Sequence, residues 1–227
     1  MQMSEVVVNN GATPVRVDIV ADFVCPFCII AYLQLERASA NAKVPLNVQW
    51  HPFELNPQMA SGGENHIDYM HKHYGVSPEE TIESRRKLKK VGDRLGFTFG
   101  FSDETRIMNT FKAHKLTAWA FEIGKGHELA LEIYKAYFTN GESIEENNVL
   151  IRAAQKVGLG ADEVRNVLHA DAYIDSTEIK KQFGVMRGVT GVPYFIFEGE
   201  HVLKGAQGED TYEQALLLLK KSKHCVL

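Results

Sequence analysis

The sequence predicts an α/β fold in which β-rich segments at the two ends of the chain enclose a long helical block. Three observations carry this. Residues 15–24, VRVDIVADFV, alternate apolar and polar side chains in the period-2 pattern of a strand with one face buried, and a helix-forming run and a second β-rich run follow. From about residue 57 to residue 188 the texture changes to helical periodicity punctuated by Gly and Pro. After Gly188 the chain reverts to β and closes with a helix. No repeat or low-complexity linker separates these parts, so the helices read as an insertion into one α/β unit rather than a downstream domain. The expected divisions are 1–57, 58–188 and 189–227.

The elements follow in order. After the first strand, IIAYLQLERASA is rich in helix formers, with apolar residues at Ile29, Leu33 and Leu35. NAKVPLNVQW then turns into a second strand ending near HPFEL. Residues 64–95, 104–122, 126–139, 143–157 and 161–184 read as helices, the last divisible into two. The segment 104–122 sets Met108, Phe111 and Lys115 on one side, an only moderately clean stripe. GVPYFIFEG and HVLKGAQG suggest a hairpin about a Gly-containing turn. EDTYEQALLLLKKSK opens on acids and ends on bases, as a helix dipole favours.

Composition narrows the function. A chain of 227 residues with 44% hydrophobic content can bury a sizeable core, and its formal charge of −4, without a basic stripe, argues against nucleic acid and a membrane surface as partners. The N-terminal run MQMSEVVVNNGATP lacks the features of a secretory signal, and no stretch reaches bilayer-spanning length, so a cytoplasmic protein is expected. Three cysteines make no disulfide framework; Cys225, third from the end, misses the prenylation pattern and reads as a tail residue.

The remaining two sit in DFVCPFCII, at the end of the first strand and the start of the first helix. There the backbone N–H groups are unpaired and the helix dipole favours an anion, so Cys25 is expected to ionise in the range of about 3.5 to 7.5. Pro26 suits a first turn, and two intervening residues bring Cys28 within bonding reach. Cys28 should face inward and resolve mixed disulfides formed by Cys25. A metal site needs more ligands: His66, His71 and His73 are the best other candidates, but their spacing suits a solvated helix face better, and no metal is expected. Pro193 precedes an apolar run about 165 residues after the thiols; alone it could be a simple strand-start proline.

CPFC at a strand-to-helix junction together with GVTGVPYFIF resembles the thioredoxin superfamily, whose cis-proline loop faces the CxxC pair. The inserted helical block marks the DsbA-like branch. VDIVADFVCPFC, NTFKAHKLTAWA, AYFTNGESIEENNVLIRAAQKVGL and GVTGVPYFIFEGEHVLKGAQ look like the FrnE-like dithiol oxidoreductases within it. The resemblance implies a thioredoxin-like fold with a large α-helical insertion between the second strand and the cis-proline strand. It implies Cys25 as nucleophile, Cys28 as resolving thiol, and Pro26, Phe27, Val192 and Pro193 about the substrate, with the Val192–Pro193 bond cis. One position departs from the pattern: many thioredoxin-fold enzymes carry a buried acid six residues before the first cysteine, and Ile19 stands there. Asp18 and Asp22 are the nearest acids, and neither matches.

The leading expectation is therefore a thiol-disulfide oxidoreductase acting on disulfide- or thiol-containing proteins or small molecules. It needs no bound cofactor beyond the Cys25–Cys28 dithiol, with glutathione a candidate co-substrate. The alternatives are a glutathione-dependent transferase or isomerase of the kappa-like branch, against which Cys28 argues, and a non-catalytic polypeptide-binding or chaperone module. The sequence leaves the direction of electron flow and the oligomeric state open.

Overall fold

The computed structural model describes residues 13–170 and 172–224. Most of the N-terminal run, and Cys225, lie outside them. Strand β1 (Val15–Ala21), dominated by Val and Ile, runs into helix α1 (Pro26–Ala42), which returns to strand β2 (Leu46–Pro52), parallel to β1. Strands β5 (Tyr194–Phe197) and β6 (His201–Lys204) form the late hairpin, and the sheet order is β2-β1-β5-β6, with β5 antiparallel to both neighbours. Ile19 is thereby paired with Trp50 on one side and Phe195 on the other. The C-terminal end of β1, from which the thiols hang, lies in the middle of the sheet.

One face of that sheet carries Val15, Val17 and Ile19 against α1 (Ile29, Leu35) and the closing helix α9 (Glu209–His224; Tyr212, Leu216). The other carries Val20 and Ile196 against Phe183 of helix α8 (Ala172–Met186) and against Val189, which follows it. Six of the seven β1 residues are buried, whereas the alternating pattern predicts a single buried face. The difference comes from α8, which covers the face the polar residues would have shown to water. Asp18 is carried into the interior with it and needs partners there. Each fully buried Val or Ile contributes about 1.5–3 kcal/mol.

The helical block enters between β2 and β5. It comprises α2 (His66–Tyr74), α3 (Pro78–Leu95), α4 (Phe111–Glu122), α5 (Gly126–Tyr134), α6 (Asn147–Lys156), α7 (Ala161–His169) and α8. The segment 64–95 is two helices rather than one: Gly75, at φ 68°, ends α2, and Ser77 with Glu80 forms a reciprocal capping box that starts α3. The helix expected from residue 104 starts later, because Arg106–Ile107 forms a short strand, β4, against Glu64–Asn65, β3. Residues 113–120 of α4 are all buried, which explains its blurred stripe: it packs among α5, α7, α8 and β2. Lys115, an unusual buried cation, donates from Nζ to the carbonyls of Leu168 at 2.9 Å and Ala170 at 3.2 Å, at the C-terminal end of α7.

Candidate active site

The thiols are placed by a turn. Beyond β1 the Cys25 N–H donates to the Asp22 carbonyl at 3.1 Å, and Cys25, extended at φ −90° and ψ 109°, becomes the N-cap of α1. Pro26 occupies the first helical position, where a missing N–H costs no hydrogen bond. One turn on, the Cys28 N–H donates to the Cys25 carbonyl at 3.1 Å. Both thiols are free. Cys25 retains 6% exposure and Cys28 none, while Phe27 between them is 50% exposed. Only Cys25 can be reached from outside, and Phe27 offers an apolar contact beside it.

The loop before β5 closes over the first thiol. The Val192 carbonyl oxygen lies 4.0 Å from Cys25 Sγ, the Val192–Pro193 peptide is cis, and Pro193 is buried while Val192 is half-buried. Register explains the meeting, since Tyr194 pairs with Val20 near the end of β1. All six residues singled out in the sequence, Cys25, Pro26, Phe27, Cys28, Val192 and Pro193, thus lie at one end of the sheet.

The interior side of the pair holds groups that the sequence did not connect. Burial pushes the Cys28 thiol well above its ordinary pKa, the hydrogen bond and charge of Cys25 add to this, a backbone hydrogen bond from Asp22 opposes it, and the Asp22 charge adds again. Tyr134 of α5 is also buried and donates its hydroxyl to the Asp22 carbonyl at 3.2 Å. Burial, followed by the charges of Cys28, Cys25 and Asp22, holds this phenol protonated well above the usual range. The Asp22 carboxylate is 1% exposed. Its Oδ2 accepts the Leu55 N–H at 2.7 Å, and its Oδ1 is 3.4 Å from His114 Nε2, which lies 3.1 Å from the Phe53 carbonyl. A ring nitrogen facing a carbonyl oxygen must carry the proton, so Nε2 is assigned as the N–H of His114. Ile19, six residues before Cys25, is fully buried in β1 and supplies no acid. The sequence signal for Asp22 was its closeness to Cys25. His114, 92 residues away in a helix, had none.

The histidine cluster divides. His66 Nδ1 accepts the Arg85 Nε–H at 3.0 Å, and burial, with the Arg85 charge, lowers its pKa to about 4; it is a partner of Arg85 and not part of a solvated face. His73 stacks on Tyr69. Among the described residues no three His, Cys, Asp or Glu side chains converge as a metal site, and no helix is long and apolar enough to cross a membrane.

Comparison with known proteins agrees with this geometry. The DSBA-like thioredoxin domain family matches residues 16–217. An uncharacterised protein of Bacillus subtilis (strain 168), YwbO, is 27% identical over 210 residues, covering 92% of this chain and 99% of its own. The crystal structure of a probable DsbA oxidoreductase from Streptomyces coelicolor superposes with a TM-score of 0.83 at 28% identity, over 92% of this chain and 90% of that one. A cytosolic disulfide reductase of Pseudomonas aeruginosa, DsbM, solved with GSH, shares the fold at a TM-score of 0.60 and 17% identity, over 91% and 99% of the two chains.

Proposed function

The chain belongs to the DSBA-like thioredoxin domain family of thiol-disulfide oxidoreductases, and from that premise we propose that Cys25 and Cys28 form its redox centre and work through a mixed disulfide. The observation that carries the reading is the difference between the thiols: Cys25 caps the helix on the reachable side, and Cys28 lies one turn deeper with no exposure. Cys25, as its thiolate, attacks a substrate disulfide R–S–S–R′ and releases R′S⁻. Cys28, once deprotonated, attacks the Cys25 sulfur, closes the Cys25–Cys28 disulfide and releases RS⁻. The substrate gains two electrons and the dithiol loses them; the same steps reversed oxidise a dithiol substrate.

Val192 and Pro193 form the wall opposite Cys25, where the Val192 backbone can hydrogen-bond an extended substrate, and Pro26 with the exposed Phe27 forms the near wall. The FrnE-like branch is the subtype whose motifs the chain carries, and glutathione is the small thiol proposed to recharge the pair. Cys28 distinguishes this reading from a glutathione transferase, which needs no resolving thiol. The test is trapping: Cys28→Ser should accumulate a covalent adduct with a disulfide substrate such as insulin, and Cys25→Ser should capture none, both read on non-reducing gels. Adducts on Cys28 in the Cys25→Ser protein would reverse the roles.

A further inference from the structure

The sheet ends on β6, and among the described residues no strand lies on its far side. Which of its backbone groups are open follows from the hairpin register. The Gly205 N–H donates to the Pro193 carbonyl at 2.8 Å, and an antiparallel ladder alternates, so Gly205, Leu203 and His201 bond inward to Pro193, Phe195 and Phe197. The N–H and C=O groups of Val202 and Lys204 therefore point away from β5. The Lys204 carbonyl accepts from Gln207 Nε2, as an outward group can. Both main-chain groups of Val202 and the Lys204 N–H remain as an open edge. Apolar surface accompanies them. Val202 is 42% exposed and Leu218 of α9 is 68% exposed, and a groove of about 310 Å³ between β6 and α9 is lined by Phe197, Val202, Leu203, Ala215 and Leu218 among others.

The sequence on this edge is complementary to itself. Residues 200–204 read Glu-His-Val-Leu-Lys. Laid antiparallel on a second copy about a two-fold axis at Val202, the segment sets Val202 against Val202, His201 against Leu203, and Glu200 against Lys204 at each end. Among the described residues neither Glu200 nor Lys204 has an ion partner in its own chain; the Lys204 ammonium has the Tyr194 ring, 5.7 Å from its centroid. The backbone fits the same register. Val202 meets its counterpart in a reciprocal N–H to C=O pair, and the Lys204 carbonyl held by Gln207 falls opposite the Glu200 N–H, which is given to the Phe197 carbonyl at 3.1 Å. The groups that this pairing leaves unmatched are those already matched within each chain.

We propose that β6 is a dimerisation edge, on which two copies of this chain pair antiparallel about Val202 and join their sheets into one. On the face of Tyr194 and Ile196, Val202 packs on Val202 of the second copy between the two Glu200–Lys204 pairs. On the other face, Leu218 and its groove meet those of the second copy. Cys25 follows β1, two strands inward from this edge, so each copy keeps its redox centre open, and the proposal stands apart from the dithiol reading.

Sedimentation of the full chain, kept reduced so that Cys225 cannot link copies, should show a reversible monomer–dimer equilibrium between about 1 μM and 1 mM. Val202→Pro deletes an outward N–H and leaves the β5 ladder bonds in place, the one setting in which an edge strand tolerates proline, and should stay monomeric with unchanged circular dichroism. Lys204→Glu and Glu200→Lys each set like charges opposite one another at both ends of the pairing, and each should weaken the dimer about tenfold or more. Making both changes together restores opposite charges and should return the dissociation constant to within about threefold of the parent. This rescue reads the register even where Val202→Pro fails to fold, and a contact elsewhere on the surface would not show it. A parent that is monomeric throughout the range overturns the proposal, including the case in which the edge serves a different protein. A dimer that survives the folded Val202→Pro protein or the single charge reversals, or a double exchange without rescue, overturns it as well.

Discussion

Asp18 and Asp22 stand four residues apart at one strand and its end, each 1% exposed or less, yet they are held in opposite ways. Asp18 sits in mid-strand under α8, bridged by Arg16 Nε at 2.9 Å and by His51 Nε2 at 2.7 Å. Burial alone would raise its pKa, but the hydrogen bonds and charges of His51 and Arg16 prevail and hold it below the ordinary carboxylate value. Protonating it would strip two donors of their acceptor. Asp22 has an amide and an imidazole already shared with Phe53. The difference teaches that burial does not decide what a carboxylate is for; what decides is whether its partners need its charge. Asp18 ties the strand to the elements around it, and Asp22 ties the turn before Cys25 to Leu55 and His114.

The largest effects that could break this contrast come from replacing the two acids. Asp22→Asn, which keeps an oxygen for the Leu55 N–H, is expected to cost less stability in urea than Asp18→Ala. In Asp18→Ala His51 loses its buried acceptor, and stability in urea should fall by about 1–3 kcal/mol while disulfide turnover stays unchanged. A slowed disulfide turnover in Asp18→Ala would tie this mid-strand acid to the redox centre.

A pH series sharpens it further. A carboxylate whose folded pKa is depressed contributes stability that is present above its unfolded value, about 3.9, and is lost as pH falls through the folded value. Wild-type stability should therefore drop faster than that of Asp18→Ala below about pH 4, by up to about 1.4 kcal/mol per pH unit for the one extra proton. The gap between the two proteins should be constant at higher pH and close in acid. A gap that persists unchanged well below the folded pKa of Asp18 would show that its loss acts through packing and not through charge.

How much of this was legible from the residues alone follows from the range of each interaction. The strand, CPFC and helix were readable because their signals are local: β-branched alternation, a proline at the first helical position, a helix former run. The late hairpin was readable for the same reason, and so was the division of 161–184. The placement of Val192 and Pro193 against Cys25 rested on resemblance, since nothing local links residues 167 positions apart. The second buried face of β1 was not legible, because a polar Asp18 in an alternating strand reads as solvent-facing until α8 is known to cover it. The Gly75, Ser77 and Glu80 break was present in the sequence as a glycine stop and a capping box, yet helical periodicity on both sides masked it. His114 was the hardest, a histidine in the buried stretch of α4 whose partners, the Asp22 carboxylate and the Phe53 carbonyl, both come from other elements.

The smallest expected effect tests how far the Asp18 cluster extends. Beyond His51, the Phe183 ring of α8 stacks on the imidazole with centroids 3.6 Å apart, and the Arg187 guanidinium lies 3.8 Å from the same ring. Both cannot occupy one face at those distances, so Phe183 is held between them, and a continuous stack runs from the strand carboxylate to the exposed end of α8. Arg187→Ala removes one exposed cation–π contact and should cost about 0.5–1 kcal/mol. If the stack acts as a unit, the loss should shrink in an Asp18→Ala background, where His51 is no longer fixed beneath Phe183, giving a coupling of about 0.5 kcal/mol in a double-mutant cycle. Strict additivity would confine the role of Asp18 to the sheet, and a change in disulfide turnover on losing Arg187 would tie the end of α8 to the redox centre after all.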